Sequence, residues 1–300
     1  MNKNAYVIIT PAHNEAAFIE KTILSVISQT ILPLKWVVVN DASTDETAEI
    51  VKRYQSKHNF IQLVNVERAA GRHFGNKVRA FNHGLSQVRS LDFEFIGNLD
   101  ADISMDGNYF ESILREYAKR PKMGIAGGMV HSQVEGEFVS QEVATDSVAG
   151  AVQLFRRECF ETIGGYTVLP LGGIDAAAEI AARMNGWQTR TFPEYPVKEH
   201  RRTGSATASP LSAKVKEGRR FHSLGYGFCF FAARCVFRLL DKPRILGSIA
   251  AFVGYVGRVL SGEPVSLPPE TVRYLRMEQR AKLKNIFRLS RRVEVGNPVC

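Results

Sequence analysis

Residues 93–104, FEFIGNLDADIS, hold the side chains with the most definite chemistry in this 300-residue chain. Phe93, Phe95 and Ile96 open an apolar run of strand length, and the run turns polar at Asn98. Asp100 and Asp102 follow at i and i+2. Two carboxylates this close repel each other unless a cation lies between them, and hard oxygen ligands suit Mg2+ or Mn2+. An ion held by one or two carboxylates completes its shell with substrate phosphates. The plain alternative for so short a motif is an exposed acidic loop with no ligand.

The elements around that turn are expected to make a crevice. A short apolar run at 6–10 reads as a first strand, turning at PAHNE, and a helix follows over 16–29. A second strand at 36–39 runs into NDASTDET, where Ser43 or Thr44 can cap a helix with Asp45 and Glu46 in its first turn. A third strand at 61–64 and a helix over 74–88 precede the fourth strand at 93–99. Such alternation argues for a parallel sheet with right-handed crossovers and helices on both faces. Ligands then bind at the carboxyl ends of the strands. The turns after three strands, 11–15, 41–45 and 100–102, are therefore expected to converge. No G-x-G-x-x-G follows the first strand and no Walker A sequence is present, so neither a dinucleotide cofactor nor a P-loop NTPase is expected.

Charge divides the chain. Residues 1–200 carry 20 Lys and Arg against 24 Asp and Glu, whereas residues 201–300 carry 19 against 6. A basic tail on an acidic body implies an anionic partner, membrane or nucleic acid. Cys159, Cys229, Cys235 and Cys300 form no C-x-x-C pair, so zinc is not expected, and sparse thiols fit a reducing compartment. No signal peptide is read at the N-terminus. The uncharged stretches 221–233 and 245–257 fall short of the roughly 18 residues of a spanning helix.

TPAHNE, VVVNDASTDET, FGNKVRAFNHGL and NLDADI, followed by GGY, GGID and AARMNGW, occur in an order and spacing that resemble the inverting glycosyltransferases of family 2. The resemblance spans about residues 5–205. It implies an α/β GT-A fold: a Rossmann-like, mostly parallel sheet flanked by helices, as domain 1–205. It implies that Thr10, Pro11, Asn14 and Glu15 line the base and ribose pocket, that Asp41 bonds the base, and that Asp100 meets ribose or metal. Asp102 would bind the Mg2+ or Mn2+ that bridges the donor diphosphate. Helix capping is the alternative for Asn14, Glu15, Asp41 and, above all, Asp45. The stretch at 67–73, ERAAGRH, departs from the family's usual asparagine-glycine turn, and Arg72 or Lys77 would reach phosphate or base, or simply be solvated.

In the second half, a glycine-bearing strand at 123–130 and an apolar run at 149–155 flank a polar, flexible segment at 131–146. The helix after GGID begins near Asp175. The family places Glu-Asp there, with the Asp as catalytic base; here Ile174 stands in the Glu position. A single displacement needs one carboxylate to take the acceptor's proton, and Asp175 is expected to do so, with an N-cap as the alternative and Glu179 as the fallback base. After a last strand at 189–192, His200 is a candidate third metal ligand, and Arg201 and Arg202 suit a diphosphate of donor or acceptor.

Residues 206–300 form a second domain, a basic amphipathic extension with interleaved aromatics, expected to lie as helices in a membrane interface. A helical cap on the main domain is the alternative, and nucleic-acid binding is not expected for want of a recognition motif. The tail loosely resembles bacterial transferases of exopolysaccharide and lipopolysaccharide assembly, whose acceptors are polyprenyl-diphosphate sugars. The expectation is a metal-dependent transferase using a nucleotide sugar, UDP-linked, and a glycan or lipid-linked acceptor, docked on the cytoplasmic face of the cell membrane. A non-catalytic sugar-nucleotide-binding or scaffolding subunit is the second reading.

Overall fold

The computed structural model describes residues 4–67, 75–134, 136–140, 144–201, 209–241 and 243–295, with side chains to residue 286. It comprises two compact units, Met1–Ser205 and Ala206–Cys300.

The first unit begins β1 (Tyr6–Ala12), α1 (Ile19–Ile27), β2 (Lys35–Asp41), α2 (Thr47–Gln55), β3 (Ile61–Val66), α3 (Gly75–Val88), β4 (Phe95–Leu99). These strands are parallel, in the order β3-β2-β1-β4. The near-continuous apolar runs of β1, β2 and β4 follow from burial on both faces, whereas β3, at the sheet edge, is only partly buried. Tyr6, Ile8, Trp36, Val38 and Phe95 pack on one side with Ile19, Ile23 and Val26 of α1. Val7, Ile9, Val37, Val39 and Ile96 pack on the other with Val78 and Phe81 of α3. The chain moves outward from β1 to β3 and returns on the opposite side of β1 at β4. Between β1 and β4 the winding therefore reverses, which is where an open α/β sheet leaves a crevice.

The remainder is β5 (Ile103–Met105), α4 (Tyr109–Lys119), β6 (Met123–Val134), β7 (Glu137–Ser140), β8 (Val152–Arg156), α5 (Arg157–Thr162), α6 (Ile174–Met184) and β9 (Gln188–Glu199). Here the sheet, parallel through β4, becomes mixed. β8 is antiparallel to both β4 and β6, β5 is antiparallel to β9, and only β9 joins β6 in parallel. No crossover helix lies between β6 and β8, and without one neighbouring strands run antiparallel. The segment 131–146, read as flexible, is in part a hairpin: β6 continues to Val134 and pairs with β7 from His131↔Ser140 to Val134↔Glu137.

The second unit is helical: α7 (Pro210–Ser223), α8 (Phe228–Phe237), α9 (Leu246–Leu260) and α10 (Pro269–Val295). Phe231, Ala251 and Tyr255 form its small core. α7 and α9 meet backbone to backbone at two glycines. A Cβ on Gly218 would lie 1.8 Å from the Ala251 carbonyl oxygen, and one on Gly254 would lie 2.1 Å from that of Val215. Among the described residues no helix is long and apolar enough to cross a membrane.

Candidate functional site

The β1 and β2 turns are laced together. Asn14 takes a left-handed backbone, φ 56°. Its amide oxygen accepts from the Thr44 N–H at 2.8 Å, and its own N–H donates to Ser43 Oγ at 3.0 Å. Asp45 accepts from the Ala16 and Thr47 N–H groups, at 3.0 and 3.1 Å. Asp45, one residue before the Glu46 N-cap position, thus serves the first amide of α2, while Ser43 and Thr44 serve the neighbouring turn. Burial opposes it, but these hydrogen bonds hold the Asp45 carboxyl below its usual range.

Among the expected pocket residues, Thr10 is fully buried and its hydroxyl accepts the Trp36 indole N–H at 2.9 Å. Thr10 thus spends its hydroxyl within the sheet, while Pro11 is partly exposed near the end of β1. Asp41 ends β2, is buried, and its backbone oxygen accepts from His13 Nδ1 at 2.6 Å.

The acidic turn sits at the reversal between β1 and β4, and its surroundings come from distant chain segments. Lys77 of α3 lies 2.6 Å from Asp100. Burial pulls the Lys77 ammonium down, but Asp100, with Asp175 and Asp102 beyond it, outweighs burial and holds it above its ordinary value. β5 follows the turn directly and pairs with the end of β9, Ile103 opposite Glu199. That pairing carries Glu199 and His200 to the acidic pair: the His200 N–H donates to the Asp102 carbonyl at 2.9 Å. Arg201 then reaches Asp102 at 3.4 Å and also ion-pairs with Glu15.

Carboxylate outweighs cation in this cluster. Burial, joined by Asp100, Glu15 and Glu199, pushes the Asp102 carboxyl up to about 7 against the opposing pull of Arg201. Asp175, near the start of α6, adds to the field on Asp100 together with Glu199. The expected acid pair and expected base thus fall in one cluster, with Glu15, Lys77, His200 and Arg201. Arg72 and Arg202 lie outside the described residues.

The fallback base is taken up by contacts within the fold. Glu179 is 3% exposed and accepts from the Val148 N–H at 2.6 Å. Burial pushes its carboxyl up to about 7. It braces the 148–153 backbone and faces no open space, whereas Asp175 is partly exposed. Ile174, the departure from the family pattern, packs on the apolar core behind α6.

His200 is held by Ser104, whose Oγ is 2.7 Å from Nε2. Burial, then Lys21 and Lys198, hold its imidazole below its ordinary value, which favours the neutral form. A neutral imidazole keeps one nitrogen lone pair available for a metal. Among the described residues no three His, Cys, Asp or Glu side chains are arranged to hold a metal by themselves.

Three residues of the cluster escaped sequence reasoning. Glu199 is brought in only by the length of β9. Asn98 donates to the Gly150 carbonyl at 2.7 Å, and its own Oδ1 is buried without a partner. Gly150 lies against Asp175: a Cβ there would be 2.9 Å from Asp175 Oδ2. The sole advance signal was the polar switch at Asn98; nothing marked Gly150 or Glu199.

Residues 7–167 match the family model for glycosyl transferase family 2. The chain is 27% identical over 171 residues to a poly-β-1,6-N-acetyl-D-glucosamine synthase of Staphylococcus epidermidis, covering 51% of this chain and 39% of that protein. The corresponding synthase of Staphylococcus aureus strain COL is 27% identical over 200 residues, 60% of this chain and 46% of that one. The chain thus spans less than half the length of the curated relatives it matches. In structure it is similar to S. aureus TarS 1–349 in complex with UDP-GlcNAc, at a TM-score of 0.53 and 18% identity, over 86% of this chain and 73% of that one. It is also similar to the mannosyltransferase PcManGT of Pyrobaculum calidifontis in complex with GDP-Man and Mn2+, at a TM-score of 0.53 and 18% identity, over 93% and 79%. The fold is accordingly a mixed α/β GT-A type with a curled sheet and a helical C-terminal part.

Proposed function

The chain belongs to glycosyl transferase family 2, and from that premise we propose that it moves a sugar, with inversion and with a divalent cation, from a nucleotide donor to a glycan or polyprenyl-diphosphate-linked acceptor. The observation that carries this reading is the convergence of Glu15, Asp100, Asp102, Glu199 and Asp175 on the β1–β4 reversal, where burial and mutual repulsion push Asp102 up to about 7. The related synthases of poly-N-acetylglucosamine make UDP-GlcNAc the first donor to test.

The donor set fits Mg2+ or Mn2+. Asp102 is the first ligand, with Asp100 beside it and His200 as the candidate nitrogen. These oxygens exceed the cations that neutralise them, and an incomplete protein shell suits an ion that takes its other ligands from phosphate. When bound, such a cation offsets the charge that develops on the departing diphosphate.

The rest is work for the chain's own groups. Lys77 and Arg201, now paired with carboxylates, are placed to turn toward phosphate oxygens. Asn14, Glu15 and Asp41, on the laced turns, hold base and ribose. Asp175 accepts the proton from the acceptor hydroxyl as that oxygen attacks the anomeric carbon. No second acid is needed, because the diphosphate leaves on the opposite face, unlike the two-carboxylate arrangement of glycoside hydrolysis. The second unit, with exposed Phe237, Leu240 and Leu260 beside basic residues, docks the protein on an anionic leaflet.

The test is donor binding and turnover with UDP-, GDP- and dTDP-sugars, with and without Mn2+ or Mg2+. Cation-dependent turnover of one donor is expected. Asp175→Asn should lose turnover by about 100-fold or more while binding donor as before, and Asp102→Ala should lose the cation dependence. Donor binding without turnover on any lipid-linked acceptor would instead identify a scaffolding subunit.

A further inference from the structure

The second unit contains a cavity of about 500 Å3 whose walls are mainly apolar and aromatic, from Tyr226, Phe228, Phe230, Tyr255 and Val259. That volume lies within the range of small-molecule sites, about 300–1,000 Å3. Its polar groups are few and concentrated. Arg276, Gln279, Arg280 and Leu283 line it from α10 at i, i+3, i+4 and i+7, one helical face.

Two of those polar groups lack partners inside the protein. Gln279 is 3% exposed. Its Oε1 accepts the Gly227 N–H at 2.9 Å, which fixes the amide orientation, so the free end is the NH2 donor. That Nε2 is buried without a hydrogen-bond partner, and so is Nδ1 of His222, which lines the cavity from α7. An orphaned buried donor forfeits its hydration without a replacement bond, a cost that a bound acceptor removes. Arg276 spends its Nε on the Gly225 carbonyl at 3.0 Å, which leaves its terminal N–H groups for a ligand. Arg276 and Arg280 are both exposed, and Arg276 with Arg258 helps keep His222 neutral.

We propose that this cavity binds a single-chain amphiphile with a phosphate head, its apolar chain among the aromatic walls and its phosphate on Arg276, Arg280 and the Gln279 amide. Guanidinium pairs suit phosphate oxygens, and the apolar walls suit a hydrocarbon or prenyl chain. The tails of a two-chain phospholipid exceed the volume. The site needs neither donor nor divalent cation, so its failure would leave the transfer reading standing.

The probe is dodecyl phosphate, titrated calorimetrically below its micelle concentration into the full chain. Saturable binding of one molecule per chain is expected, at least ten-fold tighter than dodecyl maltoside, with no heat from inorganic phosphate alone. Arg276→Ala/Arg280→Ala should weaken dodecyl phosphate ten-fold or more and leave dodecyl maltoside unchanged. Val259→Trp, on an exposed position of the wall, should block both. Arg280→Ala alone carries the test if the double variant is unstable. Equal binding of the neutral detergent, indifference to the arginines, or absence of saturable binding overturns the proposal. So does full competition by dioleoylphosphatidylglycerol vesicles, which would make the occupant bulk phospholipid.

Discussion

At the scale of single residues, the cluster holds more negative charge than its cations neutralise, and this has a cost that pH reveals. Asp102 has an ordinary value of 3.8 and stands at about 7 in the folded protein. Below 3.8 the group is protonated in both states and costs nothing. Between 3.8 and about 7 the unfolded chain has lost its proton while the folded protein keeps it, so stability falls as pH rises through that window. Asp102→Asn should therefore raise the melting temperature of the cation-free protein at pH 8 by a few degrees, from ~1–2 kcal/mol, and change little at pH 4. An unchanged melting temperature at pH 8 would show that Asp102 is solvated. Gly150 makes a second residue-scale prediction. A methyl group there meets Asp175 Oδ2 at 2.9 Å. Gly150→Ala should lower kcat about ten-fold or more, by the displacement of one reacting group, while donor Kd stays put; a change confined to Kd would remove Asp175 from the chemistry. Asp100, Asp102 and Asp175 were legible in advance because each sits next to its own element's end, where local pattern speaks. The partners Glu199 and Gly150 were not, since pairing and contact between residues some 50 to 100 positions apart bring them in, and no local periodicity encodes that.

Among elements, local pattern located the parallel half of the sheet and only parts of the other half, without its strand directions. β1, β2 and β4 are buried on both faces and read as apolar runs, and the edge strand β3 is marked by Ile61, Leu63 and Val64. β6, β7 and β9 carry polar residues toward their ends, so β9 announced itself over four residues and extends over 12. The missing eight include the stretch that delivers Glu199. In the helical unit, two glycines of α9 give opposite predictions from the same substitution. Alanine is worth about 1 kcal/mol over glycine inside a helix. At Gly257 no atom lies within 4 Å of the new Cβ, so Gly257→Ala should stabilise by about that amount. At Gly254 the methyl would be driven to 2.1 Å from the Val215 carbonyl of α7, and neither backbone can yield cheaply. There the clash outweighs propensity, and Gly254→Ala should destabilise the unit by roughly 1–3 kcal/mol. Thermal denaturation followed by circular dichroism separates the two signs; a matching gain at both positions would show that α7 and α9 are not in contact.

For the whole molecule, the excess of basic residues beyond position 200 and the apolar side chains on α8 and α9 act together. Phe237 is 92% exposed and Leu260 81%. Binding to phosphatidylglycerol vesicles should weaken several-fold between about 0.1 and 0.5 M salt, as screening shortens the reach of the charges. It should weaken again in Phe237→Glu/Leu240→Glu. Vesicle binding indifferent to both would assign the helical unit another partner. Whether that unit melts with the first can be read optically. The chain's two tryptophans are Trp36 and Trp187, both before residue 205. Trp36 is wholly enclosed, its indole N–H on the Thr10 hydroxyl. α7 to α10 contain tyrosines and no indole. Red-edge emission therefore comes from one unit alone, whereas ellipticity sums both, so a single heating run carries two independent clocks. Superimposed curves mean that the basic helices and the sheet stand or fall as one cooperative body. Curves that part mean that the chain keeps its carboxylate cluster assembled while its helical unit comes and goes.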